Sequence, residues 1–324
     1  MKKYGPLAAA LAMAVLILDS RCGAESAARA LELCLKTLTP VLFPLFVLGA
    51  MAVPGLSRLR IPGLASLLGI PEGSEGMVLL GCGGGFPVGA ACVAQAARAG
   101  AMEKRDAQRM LGIVSFCGPS FLFGVIGRLF SPQEAALLFC IQLEAAVLVA
   151  IVWPSPARSR FRGEGMVPVS LTEAIKRATG SMAAVCGWVM LAGVLTGFLR
   201  KWLFFLPEGF QAILSGILEL TNGVFSLEAI PAGPLRLMVC AGFVCFGGIS
   251  VLLQVGGLAS SAGLSMATCV AQKICQGLLA VPMTWLALRL GPGVLLAGLS
   301  IPAGKIAVEI FRTMVYNVGR KEGI

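Results

Sequence analysis

The sequence predicts an all-α polytopic membrane protein built from two inverted structural repeats. Composition is the first reason: 57% of the 324 residues are hydrophobic and 13% are charged, with a mean hydropathy of +0.88. A soluble domain carries about 25% charged residues, so this chain has too little charge to cover a water-facing surface. Apolar stretches of about 20 residues, enough to cross a bilayer as a helix, recur along the chain. Paired Gly-rich interruptions in the two halves are typical of transporters.

The charged and sulfur-containing residues exclude several function classes. The net charge is +10, which in a membrane protein reflects Lys and Arg gathered in cytoplasmic loops. No basic patch with interleaved aromatic residues indicates nucleic acid as a partner. The chain has no His, and its eleven Cys form no Cys-x-x-Cys pair. We therefore expect no metal site, no cofactor and no enzymatic activity; a homo-oligomer stays open.

Four segments divide the chain. Residues 1–22 hold two lysines and an apolar run, which we interpret as an N-terminal transmembrane anchor. A cleaved signal peptide is the alternative, although no small-x-small cleavage site follows the run. Residues 28–153 form the first repeat and 173–315 the second. The link between them, 154–172, carries several Arg residues and is therefore expected in the cytoplasm.

Each repeat is expected to combine broken transmembrane helices with one re-entrant helical hairpin. Basic residues flank the Gly-rich segment 76–97 on both sides, which places both of its ends on one face of the membrane. The matching hairpin of the second repeat is 236–260. Whether 209–226 crosses the membrane, and therefore the side of the C-terminus, stays open. The other predicted helices are 5–20, 28–53 with bends at Pro40 and Pro44, 108–128, 134–153, 178–203, 266–289 and 292–315.

The repeat is predicted from matches that occur in one frame. Cys82-Gly83-Gly84-Gly85 corresponds to Cys245-Phe246-Gly247-Gly248, and at the same spacing Ala99-Gly100 falls on Ala262-Gly263. Because the chain contains 41 glycines, any single match of this kind can arise by chance. Several matches in the same order favour a true repeat.

The two Gly-rich interruptions supply the first candidate binding residues. Gly84-Gly85-Phe86-Pro87 would break a membrane helix and leave backbone N–H groups that attract an anion. A close-packed crossing of small residues is the alternative. Gly247-Gly248 is followed by Ser250 and Gln254, which lie four residues apart on one helical face and can donate hydrogen bonds to a substrate. Hydrogen bonding between helices is the alternative there.

A third interruption lies inside the predicted helix 108–128. The pair Gly118-Pro119 should unwind a turn and expose the hydroxyl groups of Ser115 and Ser120 to a substrate. A simple proline kink is the alternative.

Charged groups within apolar stretches complete the candidate site. Lys273 can attract an anionic substrate. Glu219, with Asn222, is a candidate site for a coupling ion, H⁺ or Na⁺, because a carboxylate inside a membrane is costly unless it is used or paired. A helix end at the membrane interface is the alternative reading of these two residues.

Several of these strings in combination resemble one known family. They are Gly85-Phe86-Pro87-Val88-Gly89-Ala90, the charged turn Glu103 to Leu111, Ser115-Phe116-Cys117, Gly216-x-x-Glu219-x-Thr221-x-Gly223 and Gly247-Gly248-x-Ser250-Val251-x-x-Gln254. The chain resembles, from about 28 to 315, the sporulation integral membrane proteins of the YlbJ (SpoVV) type. That family belongs to the nucleoside-recognition, or Gate, domain group.

The resemblance implies a transporter related in plan to concentrative nucleoside transporters. It further implies a place in the outer forespore membrane and dipicolinic acid as the substrate. Two departures bear on the substrate: Phe86 stands where the family usually has Tyr, and Gly118-Pro119-Ser120 stands where an Asn and a Ser-Pro are usual. The alternatives are a transporter of a nucleoside-like solute and a non-transporting membrane scaffold of the spore envelope.

Overall fold

The computed structural model describes residues 5–56, 59–153, 160–161, 169–291 and 293, and this part of the chain is almost entirely helical. The α-helices are α1 (Gly5–Leu18), α2 (Ser20–Leu33), α3 (Thr39–Leu56), α4 (Leu64–Leu68), α5 (Glu75–Gly84), α6 (Val88–Arg98), α7 (Lys104–Ile113), α8 (Pro119–Phe121), α9 (Gly127–Leu129), α10 (Pro132–Val152), α11 (Leu171–Trp202), α12 (Glu208–Leu218), α13 (Leu220–Ser226), α14 (Pro234–Phe246), α15 (Gly248–Ser261) and α16 (Ala267–Leu290). The predicted helix 292–315 lies outside the described residues, apart from Gly293.

Four helical stretches of the described chain are long and apolar enough to cross a membrane. They are Ser20–Ala52, Pro132–Val152, Leu171–Trp202 and Pro234–Ser261. Many of their outward side chains are large, apolar and exposed, such as Leu48, Leu191 and Leu253. An exposed apolar surface of this extent suits lipid rather than water. The chain is an all-α membrane protein.

The first long helix begins earlier than the sequence predicts. Asp19 separates α1 from α2, and its carboxylate accepts a hydrogen bond from the Lys201 ammonium. Residues 20–22 therefore belong to the long helix rather than to the predicted anchor 1–22. A π-helical turn, Cys34–Leu38, joins α2 to α3. Pro40 comes two residues after this turn and has no N–H to donate back along the helix. The π-helical turn, which accommodates one extra residue, therefore lies next to the proline at which the sequence predicts a bend.

The link also ends earlier than predicted. Helix α11 starts at Leu171, and the hydroxyl of Ser170 accepts a hydrogen bond from the N–H of Glu173 at 3.3 Å. Such a cap satisfies one of the free donors of the first helical turn. The last two residues of the predicted link, 154–172, are therefore helical.

Two pairs of short helices fold back on themselves. Helices α5 and α6, which cover the segment 76–97, pack against each other around Gly85, and α12 and α13 pack against each other around Glu219. The predicted hairpin 236–260 has a different geometry. Helix α14 packs on α16, whereas α15 packs on α6 and α11, so this segment is a broken helix and not a hairpin. A Gly-Gly pair in the sequence is compatible with a hairpin and with a broken helix. The two are distinguished only by the helices against which each half packs.

The ends of the helices meet in two groups, one of which we name the link end. There Glu72, just before α5, forms an isolated β-bridge with Arg160 of the link, and their side chains approach to 3.6 Å. Arg98, at the end of α6, donates a hydrogen bond to Ser261 at the end of α15. Helix α11 starts at this end, directly after the link.

The other group of helix ends is named the far end. Here Asp19, before α2, pairs with Lys201 at the end of α11. The Arg236 guanidinium, in the first turn of α14, lies 6.0 Å from the ring centroid of Phe130, which follows α9. The long helices α2–α3, α10 and α11 thus run between the two ends, while each packed pair of short helices begins and finishes at one end.

Candidate functional site

Backbone breaks from both halves of the chain meet in the middle of the structure. Gly85 has a φ of 69°, and a Cβ on it would lie 2.6 Å from the backbone nitrogen of Gly118. Gly248 has a φ of 85°, and a Cβ on it would lie 3.2 Å from the Cα of Glu219. Both positions therefore require glycine for their conformation and for their close backbone contact.

A small cavity of about 60 Å³ lies where these breaks meet. Six residues that the sequence singled out line it: Gly84, Gly85, Phe86, Ser120, Glu219 and Gln254. One buried water needs about 10–15 Å³, so the cavity has room for only a few waters. A planar aromatic acid would enter only after the helix ends around the cavity move apart.

Lys273 lies against the ring of Phe86 rather than in the lining of the cavity. Its ammonium is 5.3 Å from the ring centroid, and it donates to the carbonyl oxygen of Ser115 and to Oε1 of Gln276, both at 2.8 Å. The side chain is buried, and no carboxylate of the described residues lies within ion-pair distance. Gly247 packs on the same ring, 3.0 Å from its Cζ when measured from a built Cβ. Phe86 is therefore next to both the cavity and the buried cation.

The break around Ser115 is wider than a proline kink. Helix α7 ends at Ile113 and α8 starts at Pro119, with non-helical backbone between them. The side chain of Gln142 satisfies both backbone groups of Cys117: the Cys117 N–H donates to Oε1 at 3.0 Å, and Nε2 donates to the Cys117 carbonyl at 2.8 Å. Gln142 is not among the residues predicted from the sequence, although an amide within the apolar run of α10 is itself a signal for a buried hydrogen-bond role.

Glu219 is the N-cap of α13. Its carboxylate accepts hydrogen bonds from the N–H groups of Thr221 at 2.9 Å and Asn222 at 2.7 Å. Only 2% of Glu219 is exposed. The helix-end interpretation of Asn222-Gly223 is wrong, because α13 continues to Ser226. The turn lies instead at Glu219, where negative charge meets the positive end of the helix dipole.

The predicted ion-binding pair is split by the structure. Glu219 lines the central cavity, whereas Asn222 lines a different pocket together with Arg29 and Arg200. Two guanidinium groups disfavour a cation beside the Asn222 side chain. Any coupling-ion role in this region therefore belongs to Glu219 rather than to the side chain of Asn222.

Gln254 connects the central cavity to a much wider groove. Its Nε2 donates to Ser250 Oγ at 3.4 Å, so Ser250 supports Gln254 and is itself buried. Gln254 also lines an open groove of about 870 Å³ between α6, α11 and α15, which Pro87 borders as well. We name this groove the vestibule.

The vestibule is positively charged. Its charged lining residues are Arg98, Lys176 and Arg177, all at the link end, and Trp188 contributes an aromatic surface. Arg177 forms an ion pair with Glu173 at 3.0 Å, outside the lining. A concave surface lined by one sign of charge concentrates ions of the opposite sign. The vestibule is therefore suited to collecting small anions.

The candidate site thus combines a basic vestibule, a small inner cavity, a capped carboxylate and a buried ammonium behind an aromatic ring. Within the described residues, no three His, Cys, Asp or Glu side chains converge as a metal site. The chain matches none of the protein-family models, none of the curated proteins and none of the solved structures with which it was compared.

Proposed function

We propose that the chain is a multi-pass membrane transporter that carries a small organic anion through the central cavity. The observation that carries the proposal is the vestibule, which is lined by basic side chains and shares Gln254 with the inner cavity. Broken helices inside a membrane are stable only where protein or a cavity satisfies the freed backbone groups. A non-transporting scaffold would need neither the breaks nor the cavity.

The order of the helices supports two inverted repeats, one in each half. In the first half the order is the long helix α2–α3, the pair α5–α6, the broken helix α7–α9 and the long helix α10. In the second half the corresponding elements are α11, α12–α13, α14–α15 and α16. Because α2 starts at the far end and α11 at the link end, the halves have opposite orientations. In this pairing the first-half segment 76–97 corresponds to α12–α13 and not to 236–260. The proposed re-entrant hairpins are then α5–α6 and α12–α13.

The orientation follows from the basic residues. The link and the vestibule carry Arg160, Arg98, Lys176 and Arg177 at one end, and Lys and Arg accumulate on the cytoplasmic side of membrane proteins. The vestibule then opens to the cytoplasm. In the outer forespore membrane, which the family resemblance suggests, that cytoplasm is the mother cell's.

Dipicolinic acid fits the chemistry of this site. The ring of Phe86 offers a flat surface for stacking, and Lys273 lies behind it as a positive charge. The carboxylate of Glu219 would repel a dianion, so we propose that Glu219 takes up a proton when the substrate binds. Substrate and proton would then cross the membrane together.

A nucleoside-like solute is the second candidate substrate. The inner cavity is lined by four groups that can exchange hydrogen bonds with hydroxyls and base edges: Ser120, Glu219, Thr221 and Gln254. Such a neutral solute would need no proton on Glu219. The two substrates therefore differ in their expected response to a proton gradient.

Uptake into proteoliposomes tests the proposal. Vesicles containing the purified protein should accumulate labelled dipicolinate above protein-free vesicles, and an imposed proton gradient in the direction of uptake should increase the rate. Uridine uptake without proton dependence would establish the second substrate class instead. If correctly folded protein takes up neither compound, the scaffold alternative replaces transport.

A further inference from the structure

A second polar pocket, of about 300 Å³, lies between α2, α11 and α13, towards the far end and away from the vestibule. Its lining includes Arg29, Arg200, Ser26, Thr196 and Asn222. The pocket thus combines two positively charged residues with several neutral hydrogen-bonding residues. The proposed transport cycle assigns it no role.

Two polar groups in this pocket have no hydrogen-bond partner within the described chain. They are Oγ1 of Thr196 and Nδ2 of Asn222, and both atoms are buried. Thr196 is only 7% exposed. Buried polar atoms are almost always paired, because an unpaired one loses its hydration without compensation. The amide of Asn222 can only donate through this nitrogen, so it requires an acceptor.

The two arginines retain unused donors. Arg200 Nη2 donates to Ser226 Oγ at 2.6 Å, and Arg29 Nη2 donates to Ser26 Oγ at 3.2 Å. Each guanidinium has five N–H groups, so both can bind a further acceptor. Within the described residues, the carboxylate that pairs with Arg29 is that of Glu25, at 3.9 Å, and Glu25 is itself closer to Arg21. The positive charge of the pocket is therefore only weakly neutralised.

The position of the pocket corresponds to a membrane interface. Helix α11 ends at Trp202, and the exposed rings of Phe204 and Phe205 follow it. An exposed Trp at the end of a membrane helix is typical of the headgroup level, and Trp202 is 52% exposed. Thr196 lies six residues before Trp202, which is about 9 Å along the helix. The pocket is thus near the depth of lipid phosphates.

We infer that this pocket binds a phosphate group, supplied by an anionic phospholipid headgroup or by a soluble phosphate. Arg29, Arg200, Thr196 and Asn222 line the pocket from three helices. Two guanidinium groups with additional neutral donors match the several oxygens of a phosphate better than the two of a carboxylate. A phosphate held by the two arginines would tie α2 and α11 together, and the side chains of Thr196 and Asn222 would pair with it by turning towards the pocket.

The test uses full-length protein stripped of lipid in detergent. Thermal unfolding is measured with phosphatidylglycerol, with phosphatidylcholine and with inorganic phosphate, for the parent and for Arg29→Gln, Arg200→Gln and Thr196→Val. Arg128→Gln is the control, because Arg128 is an exposed arginine at the far end and does not line the pocket. We expect each pocket arginine substitution to weaken binding about tenfold, the effect of losing one charged hydrogen bond.

The outcomes are distinct. Stabilisation by phosphatidylglycerol that is lost in the pocket variants and kept in Arg128→Gln supports a lipid headgroup, and the same pattern with inorganic phosphate supports a soluble source. Thr196→Val should keep its unfolding temperature without ligand but respond less to phosphate, because it removes an unpaired hydroxyl. If parent and pocket variants respond equally to every probe, the phosphate site is overturned. Since the readout is unfolding and not uptake, this result is independent of the proposed transport.

Discussion

At the residue scale, the central contrast is between Glu219 and Lys273. The carboxylate is stabilised by two N–H groups of α13, whereas among the described residues the ammonium has the carbonyl of Ser115, the amide of Gln276 and the ring of Phe86 as its partners. A buried charge without an opposite charge is costly to keep. That cost is understandable when the charge serves to attract a substrate.

Substitution of Lys273 by Gln separates a binding role from a structural one. We expect Lys273→Gln to unfold at the same temperature as the parent or higher, because an uncompensated buried charge is removed. Dipicolinate uptake should fall about tenfold or more, the effect of losing one charged interaction. The control is Lys36→Gln, an exposed lysine paired with Glu32 at 2.7 Å. A lower unfolding temperature with unchanged uptake would make Lys273 structural.

The carboxylate of Glu219 has its own prediction. Glu219→Gln keeps an acceptor oxygen for the α13 cap but cannot release a proton. We expect dipicolinate uptake by this variant to lose its response to an imposed proton gradient. Glu228→Gln makes the same change at an exposed position outside the cavity and should retain that response. If Glu219→Gln responds to the gradient as the parent does, the proton is carried elsewhere.

At the element scale, the breaks are held open by specific contacts between helices. Gln142 of α10 pairs with both backbone groups of Cys117, and glycines of α5 and α6 approach the carbonyl of Val114. The Gly-Pro pair in sequence shows that a helix must break there. It does not show how far the break extends, because that depends on partners distant in sequence.

Removing the Gln142 amide should destabilise the fold. Gln142→Leu leaves the N–H and the carbonyl of Cys117 unpaired, at about 1–3 kcal/mol for each buried group. We expect a clearly lower unfolding temperature in detergent. Gln133→Leu makes the same chemical change at an exposed position of α10 and should unfold like the parent. Equal unfolding temperatures for the two variants would contradict a stabilising role for the hydrogen bonds between Gln142 and Cys117.

Two glycines of α5 allow the packing of the first hairpin to be tested by the same substitution at a crowded and at an open position. A Cβ on Gly81 would lie 2.1 Å from the Val114 carbonyl oxygen, whereas a Cβ on Gly83 would meet nothing within 4 Å. Gly81→Ala should destabilise the protein by about 1–3 kcal/mol through overpacking. Gly83→Ala should stabilise it by up to about 1 kcal/mol, because Ala favours helix. Thermal unfolding of both variants tests whether the first substitution lowers the stability and the second raises it.

At the scale of the whole molecule, the sequence predicts the membrane class and most of the helices. Long apolar runs have one stable form in lipid, so α10, α11 and α16 are found close to their expected positions. The hairpin of the second half was assigned to the wrong segment. Gly247-Gly248 matched the first break by composition, whereas the true fold-back at Glu219 contains no glycine at its turn.

The sequence indicates where the candidate site lies better than it indicates what each residue does in that site. Glycines and polar residues inside apolar runs are costly unless used, and with Phe86 they account for the six cavity-lining residues that the sequence marked; the apolar side chains that complete the lining carry no such signal. Whether Ser250 touches the substrate or supports Gln254, and which way Asn222 faces, depends on helix rotation. Rotation is set by packing between distant segments, and the sequence pattern alone does not encode it.

The most direct measurement of the central claim is uptake by a protein whose inner cavity has been filled. Ser120 lines the cavity, so Ser120→Phe should reduce dipicolinate uptake into proteoliposomes to the level of empty vesicles. Thr179→Phe places the same ring on the exposed surface of α11 and should transport like the parent. Uptake by folded Ser120→Phe at the parent rate would contradict the assignment of this cavity as the transport path.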